Sequence, residues 1–147
     1  MNNAELLTNL LTDLQSIFRE KNKNLPFSLS QIILISSIPE QGIDMTSLSK
    51  KIGIDNSTTT RLIHNLQKKD IIIKSSNIND KRSNIITLSK KGVEANKSIE
   101  ENIEKFSKQI FCYFGDINRI LTKDLLSAFH WNLLKYCLLY TSDAADE

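Results

Sequence analysis

The sequence predicts a mainly α-helical fold with a small β-hairpin wing: a winged helix-turn-helix set on a helical dimerisation platform. Three observations predict it. Leu48 and Ile52 share one helix face, and Leu62, Ile63 and Leu66 recur at helical spacing on the next segment, with Gly53 between them where a helix end needs tolerance of positive φ. Two β-branched apolar runs, 71–74 and 85–88, flank the polar stretch SSNINDKRSN, which is too long for a two-residue turn and lacks glycine. They describe a hairpin with an extended tip. Apolar helical stripes at both ends of the chain are separated by this whole segment, so they are expected to pack together and against a second copy. The competing arrangement closes a monomeric core.

Taken in order, Leu6, Leu7, Leu10, Leu11, Leu14, Ile17 and Phe18 recur at intervals of three and four, which makes 4–20 a helix with one apolar stripe. A polar linker, 21–24, follows. Ser28 and Gln31 fit a capping box opening a helix over 29–38, which Pro39 and Gly42 end. Residues 43–45 read as a very short strand or extended link, after which Thr46 is expected to cap the helix carrying Leu48 and Ile52. Asp55 can accept the amide of Thr58 and so cap the next helix. After the hairpin, Ser89 can cap a long helix with Val93, Asn96, Ile99, Ile103, Phe106 and Ile110 on one face, and 115–118 breaks it. A last helix is expected from about Thr122, with Leu125, Leu126, Phe129, Leu133 and Leu134 apolar.

The expected organisation is therefore 1–24, an N-terminal dimerisation helix; 25–92, the winged helix-turn-helix; 93–135, C-terminal dimerisation helices; and 136–147, a tail. In that tail TSDAADE abandons both the apolar period and the Lys, Asn and Ile bias of everything before it. The tail resembles translated read-through of a sequencing adaptor and is expected to be non-native, or else frayed. Phe106, Phe111, Tyr113, Phe114, Phe129 and Trp131 are expected in the platform core rather than in a ligand box.

At 147 residues, 40% hydrophobic and 24% charged, the composition is that of one ordinary globular domain. No apolar run approaches the roughly 18 to 20 residues of a membrane span. The start MNNAELLTNL is polar and acidic rather than a leader. A cytoplasmic protein with no membrane partner is expected. Cys112 and Cys137 have neither zinc-ligand spacing nor a disulfide framework. Cys112 is expected to pack as a small buried hydrophobe, with redox-responsive regulation through it as the alternative. There is no Gly-rich phosphate loop, no His or Cys cluster and no paired carboxylates beside a nucleophile, so neither an enzyme nor a cofactor is expected.

The net charge of +2 is unevenly divided. Residues 43–92 carry ten basic and four acidic side chains, a net of +6, whereas the flanks carry nine basic and thirteen acidic, a net of −4. Positive charge is thus concentrated where phosphate neutralisation needs it. On the second helix of the pair the residues expected to be exposed are Asn56, Ser57, Thr58, Thr59, Thr60, Arg61, Asn65 and Lys68, a set of short hydrogen bonders and cations without a carboxylate. Such a surface suits phosphates and base edges. Lys68, close to a helix C-terminus, also complements the macrodipole, so capping competes with phosphate binding there. His64 lies one turn beyond Thr60 and is left out of the candidate site.

The stretch 27–92 resembles the MarR family of bacterial winged-helix transcription regulators. The matching pieces are FSLSQ, MTSLSKKIGIDNSTTTRLIHNLQKKDII and NDKRSNIITLSKKG, in that order and spacing. The resemblance implies that Ser57, Thr58, Thr60 and Arg61 lie on the recognition helix, which enters the major groove. It also implies that Asp80 and Arg82 match the wing's Asp-x-Arg, the arginine entering the minor groove and the aspartate orienting it. A guanidinium suits the negative potential of a narrow A·T minor groove. Asp80 equally suits an Asx turn. Lys81 stands where arginine is frequent in the family, which keeps the charge and loses bidentate contact.

The same resemblance implies a homodimeric transcription regulator, a repressor in the first instance, bound to a pseudo-palindromic double-stranded operator. Its half-sites are expected about 10 bp apart. It further implies a small ligand, often aromatic or anionic, between reader and platform. Zinc-sensing and peroxide-sensing relatives depend on added His, Glu or Cys ligands that are not matched here. The alternative from another class is a winged-helix module that binds an acidic protein partner.

Overall fold

The computed structural model describes residues 1–76, 78–79 and 84–145, the last seven of these by backbone only. The elements run α1 (Asn3–Lys21), α2 (Leu29–Ser37), β1 (Ile43–Asp44), α3 (Met45–Ile52), α4 (Asn56–Lys68), β2 (Ile72–Ser76), β3 (Asn84–Leu88), α5 (Lys90–Phe111) and α6 (Asp116–Ala145). The chain divides into two compact units, Met1–Lys105 and Phe106–Glu147.

The first unit is built around α2. Its capping box forms as the sequence predicts: the Ser28 hydroxyl accepts the Gln31 amide at 3.2 Å and the Gln31 side chain accepts the Ser28 amide at 3.0 Å. Ile32, Leu34 and Ile35 of this helix are buried against Leu48 of α3, Ile63 and Leu66 of α4, Ile71, Ile72 and Ile86 of the hairpin, and Ile99 of α5. Each fully buried aliphatic side chain of this kind contributes roughly 1.5 to 3 kcal/mol. The core thus ties the helix pair, the hairpin and the first half of α5 into one body.

The sheet has the order β1-β3-β2, antiparallel throughout. Ile86 on the central strand pairs with Ile43 on one side and Lys74 on the other. β2 starts one residue later than the apolar run predicts. The reason is the end of α4: the Ile71 amide donates to Leu66 O at 2.9 Å and the Asp70 amide to Gln67 O at 3.0 Å, with Asp70 left-handed at φ 60. That pair of back-bonds closes the helix and takes Ile71 out of the ladder. Aspartate tolerates this conformation better than most residues.

Two caps differ from expectation in informative ways. α3 is capped by Asp44, whose carboxylate accepts the Ser47 amide at 2.9 Å and the Ser47 hydroxyl at 2.6 Å, and not by Thr46. Asp44 pairs with Ile85 in β1, so the sheet fixes the backbone just ahead of Met45 and the helix begins there. α1 opens on a second capping box, between Asn2 and Glu5. Ser89 caps α5 as expected, its Oγ accepting the Gly92 amide at 2.9 Å.

α1 ends in an amide cluster. Asn22 is buried and donates to Phe18 O at 2.8 Å, while Asn102 of α5 donates to Asn22 Oδ1 at 3.1 Å and to Asn24 Oδ1 at 3.3 Å. The leucine stripe of α1 is not covered: Leu6, Leu7, Leu10, Leu11 and Leu14 are all exposed in the single chain.

In the second unit α5 ends at Phe111 and α6 starts at Asp116, so the break falls at 112–115, earlier than predicted, and α6 gains the turns before Thr122. The helical backbone continues to Ala145 through the stretch expected to fray. Cys112 lies in the break and is exposed, its thiol donating to Gln109 O at 2.9 Å; the expectation that it packs as a buried hydrophobe is corrected. Tyr113, Phe114, Phe129 and Trp131 are exposed in the single chain, together with Ile117, Leu125 and Leu126. Phe111 and Phe114 pack ring to ring at 6.2 Å.

Candidate nucleic-acid interface

The helix pair α3–α4 turns on Gly53, which adopts φ 71, while the Ile54 amide reaches back to Ser49 O at 3.2 Å. The left-handed residue ends α3 without a Cβ penalty and aims the chain into Asp55. Asp55 caps α4 as predicted, accepting the Thr58 amide at 2.7 Å. It does more than cap. Its carboxylate also accepts the Ser57 hydroxyl at 2.6 Å and the Thr58 hydroxyl at 2.8 Å.

α4 buries Thr59, Ile63 and Leu66, which leaves Asn56, Ser57, Thr60, Arg61, Asn65 and Lys68 exposed and Thr58 half-buried. Thr59 is therefore removed from the predicted exposed set. It lies on the helix face that carries Ile63 and Leu66, and its hydroxyl is satisfied internally: it accepts from the Ser49 hydroxyl at 2.8 Å and donates to Asp55 O at 2.9 Å. This buried relay locks α3 to the start of α4. Thr59→Val keeps the shape and strands the Ser49 hydroxyl, so a loss of about 1 to 3 kcal/mol in urea unfolding is expected. Ser49→Ala leaves Thr59 bonded to Asp55 O and is expected to cost about 1 kcal/mol or less. Equal losses in the two variants would contradict the relay.

Of the other predicted site residues, Arg61 and Lys68 are exposed, with no hydrogen bond or ion pair recorded for either among the described residues. Lys69, beside them, is structural: its Nζ donates to Pro26 O at 2.8 Å and sits 5.4 Å from the centre of the Phe27 ring. Lys51 is similarly committed to Ser37 O. Asp80, Lys81 and Arg82 lie outside the described residues. The strands that frame them, β2 and β3, pair from Ile72–Leu88 out to Ser76–Asn84.

The Ser57 hydroxyl first, and then the amide and hydroxyl of Thr58, hold the Asp55 carboxyl well below the usual carboxylate range. The Ser47 hydroxyl first, and then its amide, lower the Asp44 carboxyl as well. A carboxyl depressed in the folded state adds stability that is fully present above its unfolded pKa, about 4, and is lost as pH falls through the folded value. Stability is therefore expected to decline below about pH 4, and Asp55→Asn, which keeps a cap acceptor but carries no titrating group, is expected to make that decline shallower. An unchanged acid limb in urea titrations would remove Asp55 from the pH dependence.

A groove of about 500 Å³ opens between the loop after α2 and the start of α5, lined by Ile38, Glu40, Val93, Asn96, Lys97 and Glu100 among others. The Asn96 amide donates to Glu100 at 3.1 Å, and its Oδ1 is buried without a partner among the described residues. No helix among the described residues is long and apolar enough to cross a membrane.

Residues 27–84, which contain the helix pair, β2 and the tip sequence, match the family pattern described as the MarR family. That segment of the chain thus carries the MarR pattern. The likeness extends past that segment: a MarR protein from Peptoclostridium difficile superposes with a TM-score of 0.77 at 26% identity, over 94% of this chain and 91% of that one. The MarR fold is shared also with the Staphylococcus aureus MepR–DNA complex, at TM-score 0.71 and 13% identity, over 90% and 98% of the two chains. The HTH-type transcriptional regulator SarZ of Staphylococcus saprophyticus is 31% identical over 83 residues, 56% of this chain and 54% of SarZ. The chain spans about half the length of the curated relatives it matches.

Proposed function

We propose that this chain is a MarR-family, sequence-specific, double-stranded DNA-binding transcription regulator, acting in the cytoplasm as a homodimeric repressor on a pseudo-palindromic operator. The observation that carries the reading is the exposed face of α4: Ser57, Thr60, Arg61 and Lys68 stand clear of a rigid helix pair within a segment of net charge +6. That is the footprint of a recognition helix in a major groove. The fold shared with MepR, whose structure is of a DNA complex, supports it.

The exposed leucine stripe of α1 and the exposed apolar residues of α6 support the homodimer, since both are apolar surfaces that a second copy can cover. Two-fold symmetry then implies half-sites about 10 bp apart. A small ligand that releases the operator has a candidate seat in the groove beside Asn96. Glu40, Lys97 and Glu100 line that groove beside the apolar Ile38 and Val93, so it offers a small ligand both charges next to an apolar wall.

The test is titration of the purified protein against a fluorescent duplex from its own upstream region, with unrelated duplex as competitor. Tight binding that resists the competitor supports the reading; failure by a folded dimer transfers it to an acidic protein partner. Arg82→Ala is expected to weaken binding by roughly 1 to 3 kcal/mol, chiefly where the half-site is flanked by A·T pairs. Unchanged affinity in the folded variant removes the wing from the mechanism.

A further inference from the structure

The hydroxyl groups on the leading turns of α4 have their protons committed. Ser57 and Thr58 donate to the Asp55 carboxylate at 2.6 and 2.8 Å, and Thr60 donates to Asn56 O at 2.7 Å. Carbonyl and ionised carboxylate oxygens can only accept, so in each pair the single hydroxyl proton must point inward. Asp55 stays ionised across the neutral range because Ser57 and Thr58 hold its carboxyl low. Ser57 and Thr60 are exposed and Thr58 half-buried, so what they turn outward is lone pairs.

An outward surface of acceptors is a poor match for most of what DNA offers. Phosphate oxygens, guanine O6 and N7, adenine N7 and thymine O4 are all acceptors. The major-groove donors are the exocyclic amino groups, adenine N6 and cytosine N4. Serines and threonines at the head of a recognition helix would ordinarily serve for phosphates or either kind of base edge, because a hydroxyl rotates to suit. Here that freedom is removed on two sides, by the capping carboxylate and by the helix's own carbonyl.

We propose that Ser57 and Thr60 read exocyclic amino groups of adenine or cytosine as pure acceptors, with Asp55 as the residue that positions the Ser57 and Thr58 protons away from DNA. The inference rests on the DNA-binding reading above and goes beyond it to the chemistry of the bases selected. Arg61, a pure donor one position after Thr60, then supplies the opposite polarity, so an amino-bearing base is expected beside one rich in acceptors.

The experiment uses the full chain and a duplex that it selects from a random-sequence library. Each half-site adenine is replaced in turn by purine, which lacks the amino group, or by 7-deazaadenine, which lacks N7, and each cytosine by 2-pyrimidinone. Removing the amino group is expected to weaken binding roughly threefold to tenfold at one or two positions, with the N7 deletion nearly silent there. In Ser57→Ala or Thr60→Val the matching penalty is expected to vanish. Asp55→Gly, a residue helix N-caps tolerate at small cost, removes the acceptor that holds the Ser57 proton, so the library it selects is expected to shift at that position toward acceptor-bearing bases. A merely structural cap would leave the selected bases unchanged. Amino deletions that are silent throughout, or penalties that persist in both hydroxyl variants, overturn the inference while leaving DNA binding intact. A folded protein that selects no duplex overturns the functional reading and this inference with it.

Discussion

Gly92→Ala is expected to destabilise the unit Met1–Lys105 by about 3 kcal/mol, at the upper end of what overpacking costs. A Cβ on Gly92 falls 2.1 Å from Ile71 O and 3.2 Å from Leu88 Cβ. Ile71 O is not a group that can step aside. It accepts the Ser89 amide at 2.9 Å, and the Ile71 amide in turn closes α4 onto Leu66. The Gly92 amide is itself bound to Ser89 Oγ at 2.9 Å. The first turn of α5 therefore rests on backbone, and a methyl group must push it away from the point where the recognition helix ends and the hairpin begins. Denaturant unfolding checks this, and a loss under about 0.5 kcal/mol, the scale of an ordinary surface substitution, would contradict it. A variant that remains folded is also expected to bind DNA less well, because the same contact sets the angle between hairpin and α4.

Arg61→Ala is expected to weaken specific duplex binding by roughly 1 to 3 kcal/mol while changing nonspecific binding less. The argument is one of position. Arg61 is exposed on α4, one residue past Thr60 and two past the buried Thr59 that locks the helix to α3. It is thus carried on a rigid base, and its fork of donors suits guanine O6 and N7. A uniform loss on specific and unrelated duplexes would make it a phosphate contact instead.

Much of this architecture was legible in the sequence because it is local. Ser28 with Gln31, Asp55 with Thr58 and Gly53 at the end of α3 each signal a helix boundary within four residues, and all three form as read. What was missed depends on the third dimension. Asp44 outcompetes Thr46 as a cap because β1 pairs with β3 there, a contact more than forty residues away in the chain. By residue type Thr59 belongs with its polar neighbours, whereas its spacing from Ile63 and Leu66 places it on the apolar face. The Asp55 clamp on two hydroxyls and the close approach of Gly92 to Ile71 carry no periodicity at all. Residue type alone predicts burial for Cys112, and the helix break that exposes it overrides that tendency.

The most direct test of the central claim, that this basic helix-turn-helix surface engages duplex DNA, is the slope of log K against log salt for the selected duplex. Neutralisation of several phosphates predicts a line falling with a slope of about −0.9 per phosphate contact, and so a steep loss of affinity between low and moderate salt. A flat line, with binding unchanged across that range, would contradict the account.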